Sequence, residues 1–303
     1  MNQKLSPSTI LLLTVSPVMW AGNAIVGRAV HELVPPVLLN FLRWGLAMAV
    51  LLPFAYRVFR RDSLMWPAWR RFALLGLIGV GLYNTLQYLA LQTSSPINVT
   101  LVAASMPIWM MIIGALFFGS TISHRQITGA ILSIAGVLLV LSRGDWHALL
   151  ALRLVPGDLL MIAAAIAWSL YSWLLTLPKD PPELRADWMA FLLAQVAFGA
   201  VWSGMFAGIE QAWGVPDVEW GWPLIGALGF VAIGPAIIAL RCWGAGVQRV
   251  GPTIAGFFAN LTPLFAALMS AAFLGEMPHF YHAIAFLLIV GGIVISSRRR
   301  APD

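Results

Sequence analysis

Charge is scarce in this sequence. Of its 303 residues, 10% are Asp, Glu, Lys or Arg, against about 25% in an ordinary soluble domain. So few charges cannot cover the surface of a water-soluble globule. Cysteine is nearly absent: Cys242 stands alone, which excludes an internal disulfide framework and a cysteine-built metal cage. Acidic groups are also missing from the interiors of the hydrophobic runs. Glu32, Asp62, Asp145, Asp180, Glu183, Asp187, Glu210, Asp217, Glu219 and Asp303 read as loop or tail residues, and Asp158 and Glu276 as helix ends. His31, His124, His147, His279 and His282 are likewise terminal or in loops. An intramembrane carboxylate is the usual mark of a proton relay or cation site, so obligatory proton or sodium coupling is not expected. There is no H-E-x-x-H, no carboxylate pair, and no serine with a histidine at membrane depth. The chain is therefore not read as an enzyme, and no cofactor or metal is expected.

What is present is apolar. Hydrophobic residues make up 60% of the chain, far too many for disorder. Stretches long enough to cross a bilayer occur at Ser8–Val30, Pro36–Tyr56, Trp69–Gln92, Ile97–Phe118 and Gln126–Leu141. Five more follow at Pro156–Leu177, Ala186–Gly208, Trp222–Gly244, Pro252–Leu274 and His279–Ser296. Each is expected to be a helix, because lipid cannot satisfy a free backbone N–H or C=O. The runs are continuous, not alternating, which argues against an outer-membrane barrel. The first run has no A-x-A-like cleavage site and reads as a retained span, not a signal peptide.

Orientation follows from the basic residues. With a cytoplasmic N-terminus, 14 of the 18 Lys and Arg fall on the cytoplasmic side, among them Lys4, Arg61, Arg71, Arg185 and Arg298–Arg300. Arg28, Arg143 and Arg153 fall outside, and Arg43 lies within the second span. That bias puts both termini in the cytoplasm of a bacterial inner membrane. The net charge of +6 is then a membrane-surface feature, with no nucleic-acid partner implied.

The chain also resembles itself. A shift of 156 residues pairs Pro96 with Pro252, Pro107 with Pro263, Phe117 with Phe273, Gly119 with Gly275, Gly136 with Gly292 and Arg143 with Arg299. A shift of 148 puts Trp20 on Trp168. The expected architecture is all-α and polytopic: ten transmembrane helices in two five-helix repeats, residues 1–147 and 148–303. Five spans is an odd number, so the second repeat must enter the membrane inverted, as in secondary transporters.

The stretch Val250-Gly-Pro-Thr-Ile-Ala-Gly-Phe-Phe-Ala-Asn-Leu-Thr-Pro263, followed by Phe273-Leu-Gly-Glu276, resembles the signature half-repeat of the drug/metabolite transporter superfamily, EamA type. The first half keeps Pro107 and Gly119 but has Ser120 where Glu276 falls in the second. The resemblance covers almost the whole chain and implies ten helices, an inverted duplication and transport of a small organic solute. The density of tryptophan and the segment Pro17-Val-Met-Trp-Ala-Gly-Asn23 look most like the aromatic amino-acid exporters of that family.

The span interiors hold rings and neutral amides. Ser16, Trp20, Asn23 and Gly27 share one helical face; Trp168 and Tyr171 repeat the Trp20/Asn23 spacing. Tyr83 and Gln87 stack one turn apart, with Asn84 beside them. Asn98, Ser105 and Trp109 share a face, as do Thr253, Phe257 and Asn260. The expected substrate-binding residues are Trp20, Asn23, Tyr83, Gln87, Trp109, Trp168, Tyr171, Phe257 and Asn260, with helix packing and interhelical hydrogen bonding as the competing roles. Pro17, Pro107 and Pro263 are candidate hinges, or else tolerated kinks. Trp66, Trp69, Trp220 and Trp222, near span ends, read as interfacial belt residues. Arg43 either snorkels to the outer surface or stands as a charge at the outer mouth. An aromatic, neutral cavity suits an amino acid with an apolar body, and the expected function is export of amino acids, aromatic ones especially, by a protein acting as a monomer in the lipid bilayer. Delocalised cations could also sit on such rings. Cationic drugs, other small metabolites and a non-transporting membrane scaffold stand as alternatives.

Overall fold

The computed structural model describes residues 5–94, 96–145, 147, 150, 153–215, 217–274 and 279–297. Gly275 and Glu276 of the family motif, the basic residues Lys4 and Arg298–Arg300, and the residue at which the second repeat is expected to begin, 148, lie outside them. Among the described residues the chain is helical, with no strand. The membrane helices are α1 Pro7–Ala29, α2 Pro36–Ala55, α3 Trp69–Thr93, α4 Pro96–Ala104 continuing after a break as Met106–Phe118, and α5 His124–Leu141. The second set is α6 Pro156–Leu174, α7 Trp188–Ala212, α8 Trp222–Val250, α9 Pro252–Ala259 continuing as Thr262–Leu274, and α10 Phe280–Ser297. Among the described residues nine are long and apolar enough to span, and the bent pair in α4 makes ten.

The helix starts are written locally. Ser6 caps α1 ahead of Pro7 at the first helical position. Ser123 and Gln126 form a capping box, which starts α5 two residues earlier than hydropathy indicates. Asp187 accepts from the N–H groups of Met189 and Ala190, both at 3.1 Å, and starts α7.

Packing repeats the duplication. α5 lies against α10 and α2 against α7; α3 packs on α6 as α8 packs on α1; the second segment of α4 meets α6 as that of α9 meets α1. Exchanging the halves maps this set of pairings onto itself. The α5–α10 pair meets through glycines on both sides. A Cβ on Gly129 would stand 2.7 Å from the Gly292 carbonyl oxygen, and one on Gly292 would stand 2.6 Å from that of Gly129. Only glycine at both positions permits this approach, as small residues do at membrane helix interfaces.

The irregularities repeat as well. Leu77–Leu82 in α3 and Ala232–Ile238 in α8 are wound as π-helix, and a shift of 156 carries one onto the other. α4 breaks by 41° at Ser105, and α9 breaks at Asn260–Leu261, in each case just before the paired Pro107 and Pro263. A proline in the first turn lacks only an N–H that has no helical partner there. These two prolines therefore start second segments; they do not kink continuous ones. Pro17, by contrast, lies inside an unbroken α1.

Large apolar side chains coat the outside, with Phe117 at 74% and Leu287 at 69% exposure, as a lipid-facing belt requires. Trp66, Trp69, Trp220 and Trp222 are exposed at helix ends. Among the described residues three acidic side chains are buried, and one of them, Glu210, departs from the loop placement expected for it. Glu210 lies in the last turn of α7 and accepts from the Val37 and Leu38 N–H groups at 3.0 and 2.8 Å, capping α2. Asp158 accepts from Ser94, from Asn98 at 3.1 Å and from the Val155 N–H at 2.9 Å. Asp180 pairs with Arg71 at 2.9 Å and Arg185 at 3.5 Å. Glu210 and Asp158 close helix ends, and Asp180, in the loop after α6, holds two arginines.

Candidate functional site

A cavity of about 1220 Å³ lies between the halves. It is walled by the C-terminal halves of α1 and α3, the N-terminal halves of α2 and α4, and the broken or π-wound middles of α8 and α9. Its mouth is at the end of the bundle that carries Arg28, His31 and Gln92. Non-helical backbone at membrane depth is tolerated where it lines such a space.

The inner end of the cavity is aromatic. Trp168 stands at the centre of a ring cluster, with Trp20 edge-on at 5.4 Å, Tyr83 at 5.1 Å, Tyr171 at 5.2 Å and Trp243 at 5.7 Å between centroids. Trp20 also meets Trp243 at 5.2 Å. These distances and tilts are those of favourable ring pairs, each contributing about 0.5–1.5 kcal/mol beyond buried area. The backbone makes room for the cluster at Gly79, where a Cβ would stand 2.5 Å from the Tyr171 ring.

Of the residues singled out from sequence, Trp20, Asn23, Tyr83, Gln87, Trp168 and Asn260 line the cavity. Asn260 has a second task. Its amide donates to the Ala104 carbonyl at 3.2 Å and to Ser133 Oγ at 2.8 Å, so it ties the break in α9 to the break in α4. Trp109, Tyr171 and Phe257 are not among the lining residues. Trp109 donates to Ser105 Oγ at 3.0 Å and faces an apolar groove with Ile134 and Ile162. Phe257 is wholly buried in the core. Tyr171 is buried, and its hydroxyl donates to Gln195 Oε1 at 2.9 Å. The hinge candidates divide too: Pro263 lines the cavity, while Pro17 and Pro107 do not.

Arg43 does not snorkel. It is 4% exposed, lines the cavity, and approaches Asn23 Oδ1 at 3.5 Å with its guanidinium 4.6 Å above the Trp44 ring. Tyr88, also in the wall, was passed over in the sequence. It follows Gln87 directly, in the last turns of α3, where a tyrosine reads equally well as an interfacial residue. Trp243 was passed over as well, although a shift of 156 places it on Gln87.

A helical bundle with two matched halves, irregular helices at mid-depth and a solute-sized cavity between them defines a multi-pass membrane transporter. The model of the EamA-like transporter family matches this chain twice, over residues 7–142 and 155–298. The chain belongs to that family. An uncharacterized transporter of Archaeoglobus fulgidus is 26% identical over 303 residues, covering 99% of both chains. The aromatic amino acid exporter YddG of Ancylobacter novellus is 27% identical over 297 residues, 96% of this chain and 97% of its own. The uncharacterized inner membrane transporter YedA of Escherichia coli is 25% identical over 292 residues, 92% and 87% of the two chains. A crystal structure with 23% identity superposes with a TM-score of 0.74 over 95% of this chain and 96% of that one, which shows the shared fold. The family and these relatives are transporters, not enzymes, so a small-molecule substrate and membrane lipid are its partners.

Proposed function

We propose that the protein exports amino acids, aromatic ones foremost, and related metabolites across a bacterial inner membrane by alternating access through the central cavity. The observation that carries this reading is the aromatic inner end. Trp20, Tyr83 and Trp168 offer ring faces to an apolar side chain, and Asn23 and Gln87 offer amides to a polar head. The full-length likeness to an aromatic amino acid exporter supports the same substrate class. Among the described residues no Asp or Glu lines the cavity, which favours flux without an obligatory ion gradient. The protein works as a monomer. Residues 1–147 and 148–303 form the two inverted units, a division supported by the paired family matches and by the symmetry of the helix contacts. With both termini cytoplasmic, as the basic residues favour, the mouth near His31 faces outward. Counterflow of labelled amino acids in liposomes of the purified protein tests the proposal: tryptophan and phenylalanine should exchange, and absence of exchange with any amino acid refutes it.

A further inference from the structure

The unmet hydrogen bonds of the cavity wall are all of one kind. Arg43 Nε, Trp44 Nε1 and Trp168 Nε1 are buried donors without an acceptor among the described residues, and all three residues line the cavity. The polar neighbours of the Arg43 guanidinium are neutral: the Asn23 amide oxygen and the hydroxyls of Tyr83 and Tyr88. Arg28 and His31 stand at the mouth, and no carboxylate among the described residues faces this space. A buried guanidinium with no counter-ion is costly to keep in a membrane interior. It is the side chain best shaped to take a carboxylate by two parallel hydrogen bonds. The opposite end of an amino acid finds no such partner. An ammonium group here would meet neutral acceptors, the amide oxygens of Asn84, Gln87 and Asn260 among them, and no carboxylate among the described residues.

We propose that Arg43, steadied by Asn23, is the carboxylate anchor of the transport site, and that recognition rests on the carboxylate and ring of the solute, not on its amine. The substrate class then extends to aryl-alkyl carboxylic acids that carry no amino group. Aromatic amines lacking a carboxylate are rejected, because they would place a second cation beside Arg43. This inference rests on the transport reading above and narrows it.

The test uses the purified full chain in liposomes and three indoles that differ only in the head group: L-tryptophan, indole-3-propionate and tryptamine. Labelled forms of each are offered for uptake and counterflow, and thermal stability of the protein with each compound is a second readout. Indole-3-propionate is expected to exchange comparably to tryptophan. Tryptamine is expected to be weaker by about tenfold or more, the scale of losing a buried charge-assisted pair. Arg43→Gln should abolish the advantage of the two acids over tryptamine, and Arg43→Lys should restore part of it. If Arg43→Gln does not fold, the wild-type panel decides alone. Tryptophan flux with tryptamine as effective as indole-3-propionate overturns the anchor and leaves the amino-acid reading standing. Exchange of indole-3-propionate without tryptophan overturns the amino-acid reading and upholds the anchor. No exchange and no stabilisation with any of the three overturns both.

Discussion

Asn23 of α1 and Arg43 of α2 meet at the edge of open space, and both line the cavity. A shift of 148 carries Asn23 onto Tyr171, and the residue that meets Tyr171 from α7 is Gln195. That second pair is sealed: Tyr171 is 1% exposed and Gln195 2%, and the Gln195 amide also donates to the Phe191 carbonyl at 3.1 Å. Gln87 borders the cavity, whereas Trp243, its counterpart under the 156 shift, is wholly buried with its indole N–H on Ser172 Oγ at 3.0 Å. The two halves share a backbone plan and differ in state, one side open and the other packed as core. Under the proposed alternating access those states would exchange. The same exchange would give Tyr171 and Phe257, which the open cavity does not reach, a place on the other side.

The two ends of this plan also differ in how firmly they are tied. Where α3 turns into α4 beside α6, Asp158 gathers Ser94, Asn98 and the Val155 N–H into a buried knot. At the equivalent junction, where α8 turns into α9 beside α1, the side-chain tie is an exposed Arg249–Ser8 hydrogen bond of 3.2 Å. The duplication conserves the path of the chain and leaves the fastenings free to diverge.

Five tests probe this difference, in order of expected effect. Trp168→Ala removes the ring on which four others converge and should lower stability by about 3–5 kcal/mol as well as flux; thermal unfolding of the purified protein checks it. Asp158→Asn leaves the knot's donors facing a neutral amide and should cost about 1–3 kcal/mol. Arg249→Ala should cost less than about 1 kcal/mol in the same assay, since its bond is exposed. In a Cys242→Ser background, Asn23→Cys should react with an impermeant thiol reagent from the cavity side and Tyr171→Cys should not; equal labelling would erase the distinction between open and sealed halves. The smallest effect is none: collapsing a pH gradient at fixed substrate gradient should leave flux unchanged, because no carboxylate among the described residues lines the cavity.

Much of this is legible in the sequence. The spans follow from hydropathy, since a bilayer admits few other solutions. Trp20, Asn23, Tyr83, Gln87 and Trp168 were visible as rings and amides at helical spacing in apolar surroundings. The same signal marked Tyr171 and Phe257, because a local pattern cannot tell which half faces the open space. For Arg43 the sequence leaves two places open, for a related reason. Distance from a helix end permits snorkelling, and only the packing of neighbouring helices around it denies the route. The π-wound segments leave no hydropathy trace, since they change hydrogen-bond register and not composition. Glu210 looked like a loop residue because α7 runs four residues past its expected end, to Ala212.

The central claim is that the ring-lined end of the cavity binds the solute. Trp20 tests it best, for it is only partly buried and its loss should leave the fold standing. The measurement is the ratio of tryptophan to threonine flux in Trp20→Ala, normalised to folded protein. Losing one stacking surface and its apolar contact should lower that ratio by about tenfold. A ratio equal to that of the unaltered protein would make Trp20 a packing residue and contradict the assignment of the site.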